Sequence, residues 1–534
     1  MRKRLYLLLM VFLITVSVLP ASIFKPKLAL VLSGGGAKGL AHIPVIQELD
    51  RRGIVPDLVI GTSAGALIGG LYAAGHDGDD LEAIVSENDI MSYIIHLYAV
   101  RPRDIIPSAF SSYETNLLTV EFGTSGFGAA NALLDDQYVN AFLRRHLSKV
   151  LSIDDFDDLS IPFRSVGSDI TNNREVVFGS GSLFEALRAS MAIPIVFAPV
   201  QLQDGSWVVD GGIEDNLPID LARDMGADIV LAVDVADAAR VHETSIPDMS
   251  TLSGAFTGFT DYLTRPNVLE QYENADWVII PDVGEFSALE FNKYEEILER
   301  GREAVAENMD VFDELEARLE RYKDDMEYIP YSELETPVIE AVDYGNIPRS
   351  YREDLKAFEG RPMDYATIAE FEDFLDEIRI HEGLKSVTYD VVDGIISVET
   401  EAYPSMSGNI SLGLAGGLGI RFDGTKGFFV YDPEFTLSGS LALTRSLVLD
   451  YGIVVDEGIM IEGGLSVPFM QSLFLYGNIG VKYGQLSYLS IPGTRDYNFG
   501  NDAGVFLKLG LAYVYRDALR LDVIGGADYT YISG

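Results

Sequence analysis

The chain has 534 residues, 48% of them hydrophobic, which is enough material for roughly two to four domains with buried cores. Acidic residues outnumber basic ones 82 to 39, and the formal net charge of -43 argues against a nucleic acid partner, because phosphate backbones repel such a surface. The sequence contains no cysteine, which excludes disulfides, thiolate nucleophiles and zinc–thiolate sites.

Residues 1–22 have the pattern of a secretory signal peptide. A basic start precedes an apolar run from Leu5 to Val18, and small residues follow this run. The run is shorter than the about 20 residues that a membrane-spanning helix needs, although an uncleaved anchor is the alternative. The pattern predicts that the protein is exported.

Residues 27–325 alternate short apolar runs with helical patterns. The runs are apolar on both faces, which is typical of strands in a sheet that helices cover on both sides. This part of the chain is therefore predicted to be an α/β domain with a central, mostly parallel sheet. The predicted strands are residues 27–33, 57–63, 162–170 and 228–235, and the helical patterns include residues 65–75, 137–151 and 294–325.

Residues 335–402 have a different texture and predict a small α+β domain. "TPVIEAVDYG" is strand-like, and an amphipathic helix is predicted over residues 364–383. Two alternating arms then flank Asp393 and Gly394, a dipeptide that favours a tight hairpin turn. One side of the helix is apolar: Ile368, Phe371, Leu375 and Ile378.

Residues 405–534 consist of strand-like segments rich in Gly, Leu, Tyr and Phe. In several segments apolar residues alternate with Gly, Ser or charged residues, which is typical of an antiparallel transmembrane β-barrel. A soluble β-sandwich has the same period and is the alternative. The signal peptide favours the barrel, which we expect to lie in the outer membrane.

The strongest local motif is G-x-S-x-G, which runs from Gly61 through Ser63 to Gly65 between an apolar strand and an apolar helix. In this context the serine lies on a sharp strand-to-helix turn, with its hydroxyl exposed near the positive end of the helix. The motif predicts that Ser63 is a nucleophile.

A nucleophilic serine needs a base. None of the six histidines lies in a distinctive motif after a strand, and His242 is the best candidate for a conventional triad: the six are His42, His76, His96, His146, His242 and His381. The better candidate is Asp210, which ends an apolar run and precedes Gly211 and Gly212. Partial burial would raise the pKa of this carboxyl group and make it a better base.

A glycine loop follows the first predicted strand, with Gly34, Gly36 and Gly39 at G-x-G-x-x-G spacing. A dinucleotide site would require an acidic residue at the end of the second strand, but Asp50 ends a helical pattern and Asp57 begins that strand. The remaining interpretation is an oxyanion hole. In it, backbone N–H groups of Gly34, Gly35 and Gly36 would face the oxygen that becomes negative when Ser63 attacks.

The glycine loop, G-x-S-x-G and Asp-Gly-Gly, in this order, resemble the patatin-like phospholipase family. The resemblance covers residues 27–325 and is strongest over 29–75 and 184–220. It implies a Ser63–Asp210 dyad without a catalytic histidine, and hydrolysis of phospholipid or other acyl ester lipids with no metal and no cofactor.

Residues 335–402 resemble a POTRA module, and the C-terminus resembles an Omp85-type barrel. The order of the three regions is similar to that of bacterial type V d autotransporter phospholipases, which implies a hydrolase domain in the periplasm or at the cell surface. At most about eight strands fit after residue 405, so the barrel is truncated, small or completed by a second chain in a homodimer. An outer-membrane transport or assembly barrel with the N-terminal domain as its passenger is the functional alternative.

Overall fold

The computed structural model describes the following residues: 25–87, 114–123, 126–129, 137–194, 197–236, 268–325, 328–382, 384–402, 406–415, 418–420, 426–428, 432–444, 447–455, 458–470, 473–484, 502–515 and 519–532. Within these ranges the strands are β1 (Leu28–Leu32), β2 (Leu58–Thr62), β3 (Glu114–Gly123), β4 (Gly126–Ala129), β5 (Phe163–Asp169), β6 (Arg174–Phe178), β7 (Val200–Gln201), β8 (Trp207–Asp210), β9 (Ile229–Val233), β10 (Trp277–Ile279), β11 (Ala341–Asp343), β12 (Leu384–Val392), β13 (Ile395–Ala402), β14 (Met406–Ala415), β15 (Leu418–Ile420), β16 (Lys426–Phe428), β17 (Asp432–Thr444), β18 (Leu447–Val455), β19 (Gly458–Met470), β20 (Leu473–Gly484), β21 (Asp502–Tyr515) and β22 (Leu519–Ile532).

The α-helices in the same ranges are α1 (His42–Arg51), α2 (Ala64–Ala73), α3 (Gly78–Glu87), α4 (Gln137–His146), α5 (Leu183–Ser190), α6 (Ile219–Asp224), α7 (Tyr294–Glu307), α8 (Met309–Leu319), α9 (Arg352–Lys356) and α10 (Tyr365–Glu382). One short 3-10 helix, Gly36–Ala41, begins in the glycine loop. Another, Gly211–Ile213, begins directly after Asp210.

The chain forms two compact units, and the domain boundaries predicted from sequence stay a prediction. The first unit contains the described residues of Met1–Met91, Ile153–Ile193 and Pro199–Glu335. The second contains those of Ser92–Ser152, Pro194–Ala198 and Thr336–Gly534.

The first unit is an α/β structure around a sheet with the strand order β10-β9-β1-β2-β5-β8-β7, in which β6 also pairs with β5. The strands from β10 to β5 are parallel, whereas β6 and β8 are antiparallel to β5, and β7 is antiparallel to β8. The four predicted strands are β1, β2, β5 and β9, and the predicted mostly parallel sheet is confirmed.

Both faces of β1, β2 and β9 are buried, which explains why these strands are almost continuously apolar. On one face Val31, Ile60 and Val230 pack in a cluster with residues of α6. On the other face α2 lies so close that a Cβ atom at Gly69 would be 2.9 Å from a methyl carbon of Val59. The central strands are therefore shielded from water on both sides.

The second unit contains the small α+β structure predicted between residues 335 and 402. Its sheet has the order β11-β13-β12, with β11 parallel to β13, and the predicted apolar side of α10 is buried in its core. Asp393 and Gly394 have φ angles of 49° and 76°, as a tight hairpin turn between antiparallel strands requires.

The second unit also contains a sheet of nine strands in the order β22-β21-β20-β19-β18-β17-β14-β3-β4. All its pairings are antiparallel. The alternating segments predicted after residue 405 supply β14 and β17–β22. The sequence did not indicate that β3, which belongs to the stretch predicted as α/β, would pair with β14, because no local pattern encodes a partner almost three hundred residues away.

One face of this sheet is apolar and exposed across β19, β20 and β21. The register places Ile461 opposite Val481 and Ile479 opposite Leu507. The exposed side chains on this face are 44–63% accessible: Ile461, Leu465, Leu475, Ile479, Val481, Val505, Leu507 and Leu509.

No helix in the described part of the chain is both long enough and apolar enough to cross a membrane.

Candidate active site

The site lies where loops leave neighbouring strands of the first sheet. Strands β1 and β2 are parallel, with Leu32 opposite Gly61, so the glycine loop after β1 and Ser63 after β2 leave the same edge. Strand β5 separates β2 from β8, and its Val166 and Gly167 lie opposite Thr62 and Asp210. The topology therefore brings three distant sequence motifs together.

Ser63 lies on a strained turn between β2 and α2. Its φ and ψ angles are 53° and -120°, in a region that costs a non-glycine residue on the order of 1–3 kcal/mol. Its backbone N–H donates to Ser190 Oγ at 2.9 Å, and Ser190 Oγ donates to the Val166 carbonyl at 2.5 Å. The fully buried Ser190 therefore holds the turn that presents the Ser63 hydroxyl.

Asp210 ends β8 and accepts a hydrogen bond from the Ser63 hydroxyl, with 2.6 Å between Ser63 Oγ and Asp210 Oδ2. Its other oxygen, Oδ1, accepts the N–H of Gly212 at 2.8 Å. Burial raises the pKa of this carboxyl group from 3.8 to about 6, against the lowering effect of the two hydrogen bonds. The predicted direction of this shift is confirmed, and the structure brings both predicted dyad residues into direct contact.

His42 and His76, the histidines of the first unit within the described ranges, contact groups other than Ser63. His42 Nε2 lies 2.9 Å from the Ser33 carbonyl, and burial lowers the pKa of its imidazole from 6.5 to about 4. The His76 ring stacks on Tyr331, with 3.9 Å between ring centroids. His242, the residue of the alternative triad, lies outside the described residues, as does His96.

The glycine loop contacts the nucleophile directly. A Cβ atom on Gly34 would lie 2.9 Å from Ser63 Cβ and 2.5 Å from Asn216 Oδ1, so only glycine fits there. The Gly34 N–H already donates to the Asn216 carbonyl at 3.2 Å, which corrects its prediction as an oxyanion donor. The N–H groups of Gly35 and Gly36 have no acceptor among the described residues and remain the candidate donors of this loop.

The other motif glycines allow backbone segments to pack at the site. At four of these glycines an added Cβ atom would lie only 2.2–2.5 Å from a neighbouring atom. The neighbouring atom is Ala64 Cβ for Gly39, the Gly65 carbonyl oxygen for Gly61, the Leu32 carbonyl oxygen for Gly65 and the Val166 carbonyl oxygen for Gly211. These contacts are too short for any larger residue, so the glycines are required for the approach of β1, β2, α2 and β8.

Sequence reasoning missed Ser190, His42 as a loop contact, and the carbonyl of Asn216. Ser190 and Asn216 both lie inside stretches that resemble the patatin-like family, but no local pattern distinguishes them from their neighbours. Nearby Asp215 has its pKa raised by burial from 3.8 to about 7 and accepts a hydrogen bond from Gln271. No group of three or more His, Asp or Glu residues in the described ranges could hold a metal ion.

The first unit is similar in sequence to known proteins. Residues 30–223 match the sequence model of the family described as patatin-like phospholipase. The human patatin-like phospholipase domain-containing protein 6 is 33% identical over 263 residues, which are 49% of this chain and 16% of that protein. Lysophospholipase NTE1 of Scheffersomyces stipitis is 27% identical over 296 residues, which are 51% of this chain and 17% of that protein.

The chain thus spans about a sixth of the length of these two relatives. The crystal structure of VipD from Legionella pneumophila aligns with a TM-score of 0.33 and 18% identity, over 54% of this chain and 67% of that one. These similarities support the predicted class, a serine-based lipid ester hydrolase. Residues 30–223 are therefore similar to the patatin-like phospholipase family, as the motifs predicted.

Proposed function

We propose that this protein hydrolyses acyl ester bonds of phospholipids with Ser63 as the nucleophile and Asp210 as the base. The observation that carries the proposal is the 2.6 Å hydrogen bond from Ser63 Oγ to Asp210 Oδ2. Relatives named as phospholipases and as a lysophospholipase support a phospholipid as the substrate.

In the first half-reaction the ionised Asp210 takes the hydroxyl proton as Ser63 Oγ attacks the acyl carbonyl carbon. The carbonyl oxygen becomes an oxyanion, which the N–H groups of Gly35 and Gly36 stabilise. When the intermediate collapses, the ester C–O bond breaks and the protonated Asp210 gives its proton to the departing alcohol. The acyl group is then bonded to Ser63 Oγ.

In the second half-reaction Asp210 takes a proton from water, whose oxygen attacks the acyl carbon. The bond to Ser63 Oγ breaks, the proton returns to this oxygen, and the fatty acid leaves. The raised pKa of Asp210 favours both proton transfers, because a base with a pKa near the working pH is efficient and can still act as an acid.

The test is hydrolysis of a panel of phospholipids and neutral esters by the full chain, compared with Ser63→Ala. We expect the substitution to lower kcat at least about 1,000-fold, because the oxygen that forms the acyl bond is removed. Ser165→Ala is the matched control, since Ser165 is a fully buried serine on β5 that donates to the Ala186 carbonyl. Hydrolysis that survives in Ser63→Ala would refute the proposal.

We also propose that the second unit anchors the enzyme in the bacterial outer membrane, with residues 335–402 as a POTRA-like module. The exposed apolar face on β19–β21 supports this role, because a soluble surface seldom exposes so many neighbouring large apolar side chains. In the described residues no pairing joins β22 to β4, so further strands or a second copy would have to close a barrel.

The Ser63→Ala variant also distinguishes the hydrolase function from the alternative, a transport or assembly barrel. If the hydrolase is the function, Ser63→Ala should reach the membrane in normal amounts and lose lipid hydrolysis. Cell fractionation and protease accessibility of the first unit would test its export and show on which side of the membrane it lies.

A further inference from the structure

The peptide group between Ser33 and Gly34 is held from both of its polar ends. Its carbonyl oxygen faces His42 Nε2 at 2.9 Å, and its N–H donates to the Asn216 carbonyl at 3.2 Å. The Ser33 N–H before it donates to the Val233 carbonyl at 3.1 Å. The root of the glycine loop is therefore fixed immediately before Gly35 and Gly36.

His42 contributes to this arrangement as a neutral donor. A carbonyl oxygen only accepts, so the Nε2 atom must carry the proton that it shares with Ser33. The residue is fully buried, and burial lowers the pKa of its imidazole to about 4, so the ring is neutral at ordinary pH. Its Nδ1 atom is buried and has no hydrogen-bond partner in the described part of the chain.

This orphaned nitrogen makes packing alone a poor explanation of the residue. Burying a polar atom without a partner costs on the order of 1–3 kcal/mol, which an apolar side chain of similar size would avoid. The compensation visible in the structure is one hydrogen bond, and that bond ends on the peptide group next to the candidate oxyanion donors.

We propose that His42 is a positioning residue that orients the Gly35 and Gly36 N–H groups toward the oxyanion. This inference rests on the proposed hydrolase function. By holding the Ser33 carbonyl, His42 sets the plane of the peptide group from which the glycine loop starts, directly before the peptide group that carries the Gly35 N–H. The Asn216 side chain adds a longer hydrogen bond, in which its Nδ2 atom donates at 3.4 Å to the Gly34 carbonyl, in the same peptide group as the Gly35 N–H.

The experiment compares His42→Gln with His42→Met in the full chain. The two side chains have similar length and flexibility, but only glutamine can donate a hydrogen bond to the Ser33 carbonyl. His76→Met is the control for loss of a buried histidine elsewhere in the same unit. For each variant, kcat and KM for a soluble ester, the rate of Ser63 labelling by a fluorophosphonate and the thermal unfolding midpoint are measured.

We expect His42→Met to lower kcat about 10- to 100-fold with KM within about twofold, because misdirected donors weaken stabilisation of the transition state more than substrate binding. His42→Gln should recover most of this loss, and the labelling rate should follow kcat. His76→Met should keep the wild-type kcat.

A folded His42→Met variant with wild-type kcat and labelling rate would overturn the inference. Equal losses in His42→Gln and His42→Met, with or without unfolding, would also overturn it, since they would indicate a packing role. If the wild-type chain has no Ser63-dependent hydrolysis, the proposed function itself fails and this inference falls with it.

Discussion

The central sheet of the first unit and the C-terminal sheet of the second use apolar side chains in opposite ways. In β1, β2 and β9 the apolar residues of both faces are buried, and helices cover the strands. In β19–β21 the described apolar side chains of one face are 44–63% exposed. The first sheet is therefore surrounded by apolar groups of its own unit, whereas the second presents apolar side chains on an exposed face.

The same comparison explains where the chemistry is found. The buried edge of the first sheet surrounds Asp210 with little water, and this environment raises the pKa of its carboxyl group to about 6. An exposed strand offers no comparable desolvation. Charges placed in the two sheets should therefore have different consequences, and the following predictions go from the largest effect to the smallest.

The largest effect is expected for Val230→Lys in β9. Val230 is fully buried, so the ammonium group would lie among apolar side chains without a partner. We expect a loss of at least about 4 kcal/mol in the free energy of unfolding, measured by urea denaturation of the full chain. Val177→Lys in β6 is the control, because Val177 is 40% exposed and its replacement should cost less than about 1 kcal/mol.

A smaller effect is expected for Asp210→Asn, which removes a charge that the fold buries. The folded pKa of about 6 exceeds the unfolded value of 3.8, so ionisation destabilises the folded state as pH rises from about 4 to 6. At about 1.4 kcal/mol per unit, Asp210→Asn should gain up to about 3 kcal/mol at pH 8 and little at pH 4, while losing hydrolysis. Urea denaturation at both pH values measures the gain.

The wild-type enzyme provides a companion measurement for Asp210. Because the base must be ionised, kcat/KM should fall below an apparent pKa of about 6. A fall of kcat/KM centred near pH 4 would contradict the buried environment of this carboxyl group. Equal free energies of unfolding for the wild type and Asp210→Asn at pH 8 would contradict it as well.

The smallest effect is expected for Leu507→Lys in β21. Leu507 is 47% exposed, so in detergent the variant should fold. On a lipid-facing surface a lysine near the bilayer centre costs about 2–4 kcal/mol, so vesicle binding measured by flotation should fall at least about 30-fold. Val392→Lys is the control, because Val392 is 63% exposed in β12, which belongs to a different sheet. Unfolding of Leu507→Lys in detergent would favour the β-sandwich instead.

The sequence was informative where the signal is local. The motifs around Ser63 and Asp210, the apolar strands β1 and β2, and the turn at Asp393 all depend on residues a few positions apart. The contacts of Ser190 with Ser63 and of β14 with β3 depend on the folded topology, and no local pattern predicts them. The error at Gly34 has the same origin, because the acceptor of its N–H is 182 positions away in the chain.

The backbone of Ser63 has a consequence for how such a domain evolves. At φ 53° and ψ -120°, glycine would relax a conformation that serine occupies only at a cost. Selection for a stable fold and selection for a reactive hydroxyl therefore act in opposite directions on this single codon. A lineage that no longer needed hydrolysis would be free to lose the serine first, while retaining the sheet and the glycines around it.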